Sequence, residues 1–374
     1  MKIAIVLGTR PEIIKLSPVI RELQQKSMDF VLIHTGQHYS YEMDKVFFEE
    51  LGLPEPKYNL SAGGGTGGEQ TAKMVGGIER ALLEEKPDAV VVQGDTNSVL
   101  AGALAACKIG VKVAHVEAGL RSYDRRMPEE YNRIATDHVS DFLYPPTKDA
   151  ARNLKRERIG MDEFLTSTGK RKAEVLVTGN TIVDATEQNI KLAKEKRKKL
   201  VAELGLKPKG YFLITLHRAE NVDHKGTLQG LVKLFQTLAE ETGMVAVWPI
   251  HPRTTKRLQE FGITLDEKQV KTLPPQGYLS FLVLENHARL ILTDSGGVVE
   301  EACTLKVPTV ILRKTTERME AVKAGAAALG GVETQTALEA ARRMLQQKAR
   351  FRNPFGKGDA AARIVAHLQE QLSR

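Results

Sequence analysis

Three acidic residues lie where carboxylates could act as acids and bases. Asp95 and Glu117 each come at the end of an apolar run of strand character. Glu129 follows Pro128, a residue that suits the first position of a helix. An aspartate before Thr96 could simply cap a helix. Three carboxylates that share a site with cations are instead pushed to different pKa values, which favours acid–base catalysis.

A set of basic residues could bind a diphosphate. Most of its members lie at the ends of apolar runs, from which they could clamp an anion. Each one alone could equally be a surface salt-bridge partner, so only their shared placement favours a ligand. The set consists of Arg10, Lys15, His217, Arg218, Arg313 and Arg318.

The segment DSGGVVEEA is the best candidate for a phosphate-binding turn. It follows the apolar run RLILT, and its glycines, Gly296 and Gly297, allow a close approach of the backbone. A helix is expected from Val298 onward, and its free N–H groups and dipole would attract an anion. The alternative is a tight strand-to-helix turn with Ser295 as the N-cap.

Two glutamates extend this candidate site from a phosphate to a nucleotide. Glu300 and Glu301 are expected in the first turn of the helix, where a carboxylate can reach past a phosphate to a ribose diol. The sequence therefore favours a nucleoside diphosphate over a bare phosphate.

A glycine-rich segment elsewhere matches a dinucleotide motif without its context. SAGGGTGGEQ has the spacing G-x-G-x-x-G, but the PKYNL before it is no buried strand. Glu69 also places a negative charge at the start of the following helix. We therefore interpret this segment as a mobile loop.

The elements that position these residues form an alternating pattern of strands and helices. Apolar runs such as IAIVLG and AVVVQGD are separated by amphipathic segments such as EQTAKMVGGIERALLEE. Near-continuous apolar strands joined by helices indicate a parallel sheet that is covered on both faces. The pattern starts afresh at EVLVTGN, and 374 residues exceed the size at which a single core usually grows. We therefore expect an α/β fold with two domains, 1–170 and 171–357.

The residues that follow the apolar runs are unusually polar. Ligands of open parallel sheets bind beyond the carboxyl ends of the strands, so nine polar strand ends point to a cleft between two sheets. These ends are 9–12, Gly36-Gln37-His38, 94–96, 115–119, 178–180, 217–221, 251–252, 294–297 and Arg313.

The composition indicates an ordinary globular protein, and its positive charge would suit an acidic small-molecule substrate. The net charge is +8, and much of the excess lies in runs such as KLAKEKRKK. We interpret these runs as solvated faces, because aromatic residues make up only 5% of the chain and few alternate with the basic ones. We expect no nucleic-acid partner.

The sequence also favours a cytoplasmic protein. It has no run of about 18 apolar residues, so no membrane span is expected. The first apolar run passes into Gly-Thr-Arg-Pro and reads as a buried strand rather than a signal peptide. Cys107 and Cys303 stand in apolar surroundings without a C-x-x-C motif, which indicates buried, reduced thiols.

Eight segments of the chain resemble, in the same order, the signature blocks of the non-hydrolysing UDP-N-acetylglucosamine 2-epimerases. They cover essentially the whole sequence. The resemblance implies a fold of the glycosyltransferase-B type, with two Rossmann-like domains, an active site in the interdomain cleft, and a C-terminal helix (358–374) that returns to the first domain. The segments are GTRPEIIK, GDTNSVLAGALAA, HVEAGLRS, MPEEYNR, TGNTIVDA, HRAEN, LTDSGGVVEEA and LRKTTERMEAV.

The resemblance also implies the reaction and the partners. Such enzymes interconvert UDP-N-acetylglucosamine and UDP-N-acetylmannosamine by eliminating UDP, through 2-acetamidoglucal, and adding it back. They work without nicotinamide or a metal, usually as homodimers. The sequence agrees in having no H-E-x-x-H motif and no Cys/His cluster that would require a metal.

The family's pattern assigns roles in the reaction. It makes Asp95, Glu117 and Glu129 the acid–base set, and it gives His217 the role of assisting the leaving diphosphate. We expect Arg10 to project toward the diphosphate-sugar.

The same pattern assigns the binding residues. Lys15 would meet the diphosphate-sugar, and Arg318 would bind the diphosphate. Ser295 and Gly297 would bind phosphate, and Glu301 the ribose. Gln276 and Phe281, in the segment PPQGYLSF, match positions that line the uridine pocket.

Two related activities stay open. A hydrolysing epimerase would release free N-acetylmannosamine, and a glycosyltransferase of the same fold would share the nucleotide site but need an acceptor groove. The three carboxylates and the order of the blocks favour the non-hydrolysing epimerase.

Overall fold

The computed structural model describes residues 1–37, 41–166, 169–197, 199–347 and 350–373. The chain divides into two compact units, Met1–Ala185 with Phe355–Arg374, and Thr186–Pro354. Each unit is built on a parallel sheet, which confirms the expected α/β class with two Rossmann-like domains. The boundary lies after Ala185 rather than near residue 170, and the C-terminal segment of the first unit begins at Phe355.

Strands and helices alternate along the first unit. Its strands are β1 (Lys2–Leu7), β2 (Asp29–His34), β3 (Tyr58–Asn59), β4 (Ala89–Gln93), β5 (Lys112–Val116), β6 (Phe142–Tyr144), β7 (Glu163–Thr166), β8 (Gly169–Lys172) and β9 (Glu174–Val175). Its helices are α1 (Arg10–Gln25), α2 (Tyr41–Leu51), α3 (Gly67–Glu85), α4 (Asn97–Lys108), α5 (Pro128–Val139), α6 (Lys148–Arg156) and α7 (Thr181–Lys196), which continues into the second unit.

The order of the first sheet explains where a ligand can bind. Among the described strands it is β3-β2-β1-β4-β5-β6-β9, with every neighbouring pair parallel. The order reverses between β1 and β4, and ligands bind beyond the carboxyl ends of the strands at such a point. Because β9 pairs with β6, the segment 174–180 belongs to the first unit and does not open the second. The charged stretch before it contains the antiparallel pair of strands β7 and β8.

The second unit repeats this plan. Its strands are β10 (Tyr211–Thr215), β11 (Val245–Pro249), β12 (Val270–Leu273), β13 (Leu290–Thr293), β14 (Thr309–Ile311) and β15 (Ala327–Leu329). Its helices are α8 (Leu200–Glu203), α9 (Ala219–Val222), α10 (Lys225–Thr242), α11 (Pro252–Phe261), α12 (Tyr278–His287), α13 (Gly296–Leu305), α14 (Met319–Lys323) and α15 (Thr334–Gln346). The last helix, α16 (Ala360–Leu372), belongs to the first unit. In the described part of the second sheet the order is β12-β11-β10-β13-β14-β15, so it reverses between β10 and β13.

Each sheet is buried in its own apolar core. Strands β4 and β13 are buried along their whole length, as parallel strands covered by helices must be. Val92 and Val99 both belong to the first core, and Phe235 meets Trp248 edge to face in the second. Within the described residues, no helix is long and apolar enough to cross a membrane.

The two cysteines differ in exposure. Cys303 is buried as expected, and burial raises the pKa of its thiol to about 12. Cys107 is exposed, contrary to the expectation from its apolar neighbours, because it lies on the outer side of α4.

Candidate active site

Glu117 follows β5 in the first unit and is held by Lys15. The Nζ atom of Lys15, a buried residue of α1, lies 2.8 Å from Oε2 of Glu117 and 3.0 Å from Oε1. The side-chain amide of Gln93, at the end of β4, also donates to Oε2. Glu117 has a φ of 73°, a left-handed conformation that is unfavourable for a residue with a side chain. The carboxylate is therefore held in place by an ammonium group and an amide.

Asp95 follows β4, at the same edge of the sheet as Glu117. This placement follows because β4 and β5 are parallel neighbours. The Nη2 atom of Arg133 lies 2.5 Å from Oδ2 of Asp95. The side-chain amide of Asn132 donates to the carbonyl oxygen of Asp95 at 2.9 Å. The two carboxylates are thus anchored separately, each by its own cation.

Helix α5 carries the third carboxylate of the expected set. The helix begins at Pro128, and Glu129 lies in its first turn as the sequence predicts. Glu129 is half-buried, and no other described residue forms a hydrogen bond or ion pair with its carboxylate. Arg133 lies one turn further along α5, and its guanidinium donates to Glu130 at 2.8 Å as well as to Asp95. The structure therefore connects α5 to Asp95 through Arg133.

A buried ion network that sequence reasoning missed supports the two loops. Nδ1 of His115 lies 2.7 Å from Oδ1 of Asp137, and Nε2 lies 2.8 Å from the carbonyl oxygen of Gly94. Oδ2 of Asp137 accepts the backbone N–H of Gly119 at 3.1 Å and lies 2.7 Å from Nη1 of Arg121. Burial would raise the pKa of Asp137, but His115 and Arg121 outweigh burial and lower it. The network joins the loops that carry the candidate carboxylates.

Glu12, in the segment GTRPE, is a structural acceptor at the end of β1. Its carboxylate accepts the backbone N–H groups of Gly8 at 2.6 Å and Thr9 at 2.8 Å, and the hydroxyl of Thr96. Burial raises the pKa of this carboxyl to about 7. A side chain at Gly8 would place Cβ only 1.7 Å from Oγ1 of Thr35, so glycine is required there. Glu12 therefore holds together the starts of α1 and α4.

Of two other candidate residues in this region, the structure describes Arg10 but not His38. Arg10, the first residue of α1, is half-buried, and its guanidinium carbon lies 5.1 Å from the ring centroid of Phe47. His38, one of the polar strand ends, lies outside the described residues.

In the second unit, the buried Asp294 holds the loop that carries His217 and Arg218. Oδ2 of Asp294 accepts the backbone N–H of Arg218 and the side-chain amide of Asn221, both at 3.0 Å. Oδ1 lies 3.0 Å from Nδ1 of His217. The Nε atom of Arg218 donates to the carbonyl oxygen of Asp294 at 2.9 Å. Burial would raise the pKa of Asp294, but His217 and these donors outweigh burial and lower it.

Helix α13 begins directly after this aspartate. Ser295 is its N-cap, but the serine hydroxyl does not bond the backbone of the first turn. The helix starts at Gly296 rather than at the expected Val298. A Cβ on Gly296 would lie 3.9 Å from the guanidinium of Arg318, so this cation faces the N-terminus of the helix. Gly297 follows in the same turn, and the N–H groups, the helix dipole and Arg318 together favour an anion.

The two glutamates of α13 lie one turn further along the helix than the sequence predicts. Glu300 and Glu301 are in the second turn, because the helix begins earlier than expected. Both are buried, and Oε1 of Glu300 lies 2.6 Å from Nε of Arg318. Glu300 therefore positions Arg318, whereas Glu301 interacts with Tyr278.

Arg313 is also paired with carboxylates. Its Nη1 atom lies 2.9 Å from Glu317, and its Nε atom lies 3.5 Å from Glu220. Burial would raise the pKa of Glu317, but the hydrogen bond and charge of Arg313 outweigh burial and lower it to about 2. Arg313 therefore belongs to a local ion network at the end of β14.

Gln276 and Phe281 lie around the start of α12. Gln276 belongs to the loop after β12 and donates to the carbonyl oxygen of Pro274 at 2.8 Å. Phe281 is on α12 and is half-buried. Both side chains are thus partly accessible. In the described parts of the chain, no three His, Cys, Asp or Glu side chains are arranged to hold a metal ion.

Comparison with known proteins identifies relatives along the whole chain. A protein of Methanocaldococcus jannaschii named UDP-N-acetylglucosamine 2-epimerase is 54% identical over 98% of this chain and 99% of its own length. A protein of Pseudomonas aeruginosa named UDP-2,3-diacetamido-2,3-dideoxy-D-glucuronate 2-epimerase is 40% identical over 98% of this chain and 99% of its own.

Structural comparison gives the same result. The crystal structure of the M. jannaschii UDP-GlcNAc 2-epimerase in complex with UDP-GlcNAc and UDP has a TM-score of 0.84 at 53% identity. The match covers 99% of this chain and 100% of that one. Residues 21–369 match the family model described as UDP-N-acetylglucosamine 2-epimerase. The resemblance noted in the sequence is therefore confirmed, and the chain belongs to the UDP-N-acetylglucosamine 2-epimerase family.

Proposed function

We propose that this protein reversibly converts UDP-N-acetylglucosamine into UDP-N-acetylmannosamine by eliminating UDP and adding it back. The observation that carries the proposal is the separate anchoring of Asp95 and Glu117 at one edge of a parallel sheet, by Arg133 and Lys15 respectively. Inversion at C2 requires one group to remove a proton and another to return it on the opposite face. Two carboxylates in different environments meet that requirement.

The chemistry of the sugar favours elimination over direct proton removal. The C2 proton lies beside an acetamido nitrogen and an acetal carbon and is only weakly acidic. Departure of UDP breaks the C1–O bond and leaves its electron pair on the diphosphate, which gives C1 oxocarbenium character. The C2 proton then passes to a carboxylate, and the electrons of the C–H bond form the C1=C2 bond of 2-acetamidoglucal. Protonation on the other face and attack of UDP on C1 complete the inversion.

Roles follow for the residues of the first unit. In the proposal Asp95, Glu117 and Glu129 move the proton. Arg10 and Lys15 stabilise the diphosphate, where charge accumulates as the C1–O bond breaks. Lys15 also holds Glu117, so it links charge stabilisation to the position of this carboxylate.

The second unit supplies the nucleotide contacts in the proposal. His217, Arg218, Arg313 and Arg318 stabilise the departing diphosphate. The start of α13 at Ser295, Gly296 and Gly297 binds phosphate oxygens, which is supported by its facing cation. Glu301 binds the ribose, and Gln276 and Phe281 line the uridine pocket.

Product analysis tests the proposal against its alternatives. Purified protein is incubated with UDP-N-acetylglucosamine without added nicotinamide or metal, and the products are separated by anion-exchange chromatography. UDP-N-acetylmannosamine as the sole new product supports the proposal. Free N-acetylmannosamine with UDP would indicate the hydrolysing reaction. Conversion only of a UDP-2,3-diacetamido sugar would instead assign the substrate of the P. aeruginosa relative.

We further propose that the enzyme is a cytoplasmic homodimer without nucleic-acid partners, on the basis of the family resemblance. Light scattering on the purified protein should give twice the chain mass of 41.3 kDa. A monomer mass at working concentration would contradict the dimer.

A further inference from the structure

We propose that Asp294 is a positioning residue that sets the tautomer of His217, so that Nε2 is the ring nitrogen that serves the departing diphosphate. The inference rests on the proposed function, in which His217 assists that departure. It adds Asp294, whose side chain would not contact the substrate.

The two carboxylate oxygens of Asp294 have different tasks. Oδ2 accepts three donors: the backbone N–H groups of His217 at 3.1 Å and Arg218 at 3.0 Å, and the amide of Asn221 at 3.0 Å. Oδ1 is the oxygen that faces the imidazole, 3.0 Å from Nδ1 of His217, and it shares the backbone N–H of that residue at 3.4 Å. One oxygen therefore anchors the loop, and the other orients the ring.

The protonation state of the Asp294 carboxyl decides which ring nitrogen of His217 carries hydrogen. Asp294 is fully buried, yet its pKa is lowered because His217 and the converging donors outweigh the effect of burial. An ionised carboxylate can only accept, so Nδ1 of His217 must donate. In the neutral ring Nε2 then carries a lone pair, and in the imidazolium it carries the exchangeable proton.

The exposed edge of the ring is available for a ligand. The side chain of His217 is 57% exposed, and no group in the described part of the chain bonds Nε2. The carbonyl oxygen of Asp294 accepts a hydrogen bond from the side chain of Arg218, and Ser295, the residue after Asp294, is the N-cap of α13. Asp294 thus organises a histidine, an arginine and a helix N-terminus, all groups suited to a diphosphate.

The proton balance of the step is simple. As the C1–O bond breaks, the diphosphate oxygen takes its electron pair and receives the Nε2 proton of the imidazolium. The ring becomes neutral with hydrogen on Nδ1, which faces Oδ1 of Asp294. When that oxygen attacks C1 again, the proton returns to Nε2.

The variant Asp294→Asn separates the two tasks of the side chain. The amide oxygen should take the place of Oδ2, because three donors converge there, so the loop should keep its shape. The amide NH₂ then faces Nδ1 of His217 and forces hydrogen onto Nε2. We expect kcat to fall roughly 10²- to 10⁴-fold while UDP affinity stays within about threefold. Asp223→Asn is the matched control, since Asp223 pairs with Arg253 and Arg257 at the end of α9, and it should retain full activity.

Nitrogen NMR of histidine-labelled protein reads the tautomer directly. The signal of His217 is assigned by its loss in His217→Gln. We expect hydrogen on Nδ1 in the wild type and on Nε2 in Asp294→Asn. In the double variant of Asp294→Asn and His217→Gln, kcat should be less than about threefold below that of His217→Gln alone. A residue that acts only through His217 has no further effect once His217 is replaced.

Each outcome supports or overturns the inference. Normal kcat in a folded Asp294→Asn, or independent and additive defects of the two variants, would overturn it. If Asp294→Asn does not fold, the wild-type spectrum decides, because a neutral ring with hydrogen on Nε2 contradicts the inference. The tautomer needs no turnover to be read, so a wild type that does not epimerise would refute the proposed function and leave this result intact.

Discussion

The acidic residues at the carboxyl ends of β4 and β5 are each paired with a cation. Asp95 is bonded by Arg133, and Glu117 by Lys15 and Gln93. The arrangement therefore gives each carboxylate its own fixed position.

Amide substitutions test which carboxylate moves the C2 proton. We expect Glu117→Gln and Asp95→Asn each to lower kcat by about 10²-fold or more, because proton transfer by a positioned group contributes that much. Incorporation of solvent deuterium at C2 measures the step. Glu187→Gln, a change of the same chemistry at an exposed position on α7, is the control and should retain exchange. Undiminished exchange in Glu117→Gln or Asp95→Asn would remove that residue from the role.

Glu12 predicts a specific pH dependence of stability. Burial raises its pKa from 4.5 to about 7, so the folded protein binds more protons than the unfolded chain between these values. Its contribution to stability is thus full below about pH 4.5 and is lost as pH rises through about 7. The glutamine of the Glu12→Gln variant does not titrate. The free energy of unfolding of this variant minus that of the wild type should therefore rise by about 3 kcal/mol from pH 4.5 to 8.

Urea unfolding at both pH values measures this difference. Glu22→Gln, a change of the same chemistry on the same helix, is the control. A difference between Glu12→Gln and the wild type that does not vary with pH would show that Glu12 is not a buried titrating group.

At the level of elements, apolar runs predicted most of the strands, β13 among them, but some short strands escaped detection. Strands β3, β12 and β15 have two to four residues, too few to show a period. The glycine-rich segment interpreted as a mobile loop contains the start of α3, where Thr66 and Glu69 form a capping box. The signal T-x-x-E was present in the sequence, but the glycines obscured it.

The start of α16 gives a prediction at this level. The carboxylate of Asp184, on α7, accepts the backbone N–H groups of Ala360 at 3.3 Å and Ala361 at 3.0 Å. It therefore caps a helix that is distant in sequence. Asp184→Ala should destabilise the protein by about 1 kcal/mol.

Amide hydrogen exchange localises the effect. Faster exchange in the first turn of α16 is expected, whereas Glu187→Ala, at an exposed position on the same α7, should leave that turn unchanged. Equal exchange in Asp184→Ala and the wild type would contradict the capping role.

At the level of the whole molecule, the sequence predicted two α/β units but not all the contacts that support their candidate sites. The polar strand ends were visible because they follow apolar runs. The partners of Asp294 were not, because His217 and Asn221 are more than 70 residues away in sequence. Asp137 lies inside a helix, where its pairing with His115 has no sequence signal. Local patterns reveal elements and their ends, whereas buried polar networks depend on tertiary packing.

The most direct test of the central claim is proton NMR of the purified protein with UDP-N-acetylglucosamine in deuterated water, without added nucleotide or metal. The account predicts a UDP-N-acetylmannosamine signal and deuterium at C2 of both sugars, with the same final ratio when the reaction starts from either one. If UDP-N-acetylmannosamine forms but keeps its original hydrogen at C2, the result would contradict a mechanism in which the C2 proton is lost to solvent during elimination and replaced before UDP adds back. Unchanged substrate would contradict the epimerase reaction itself.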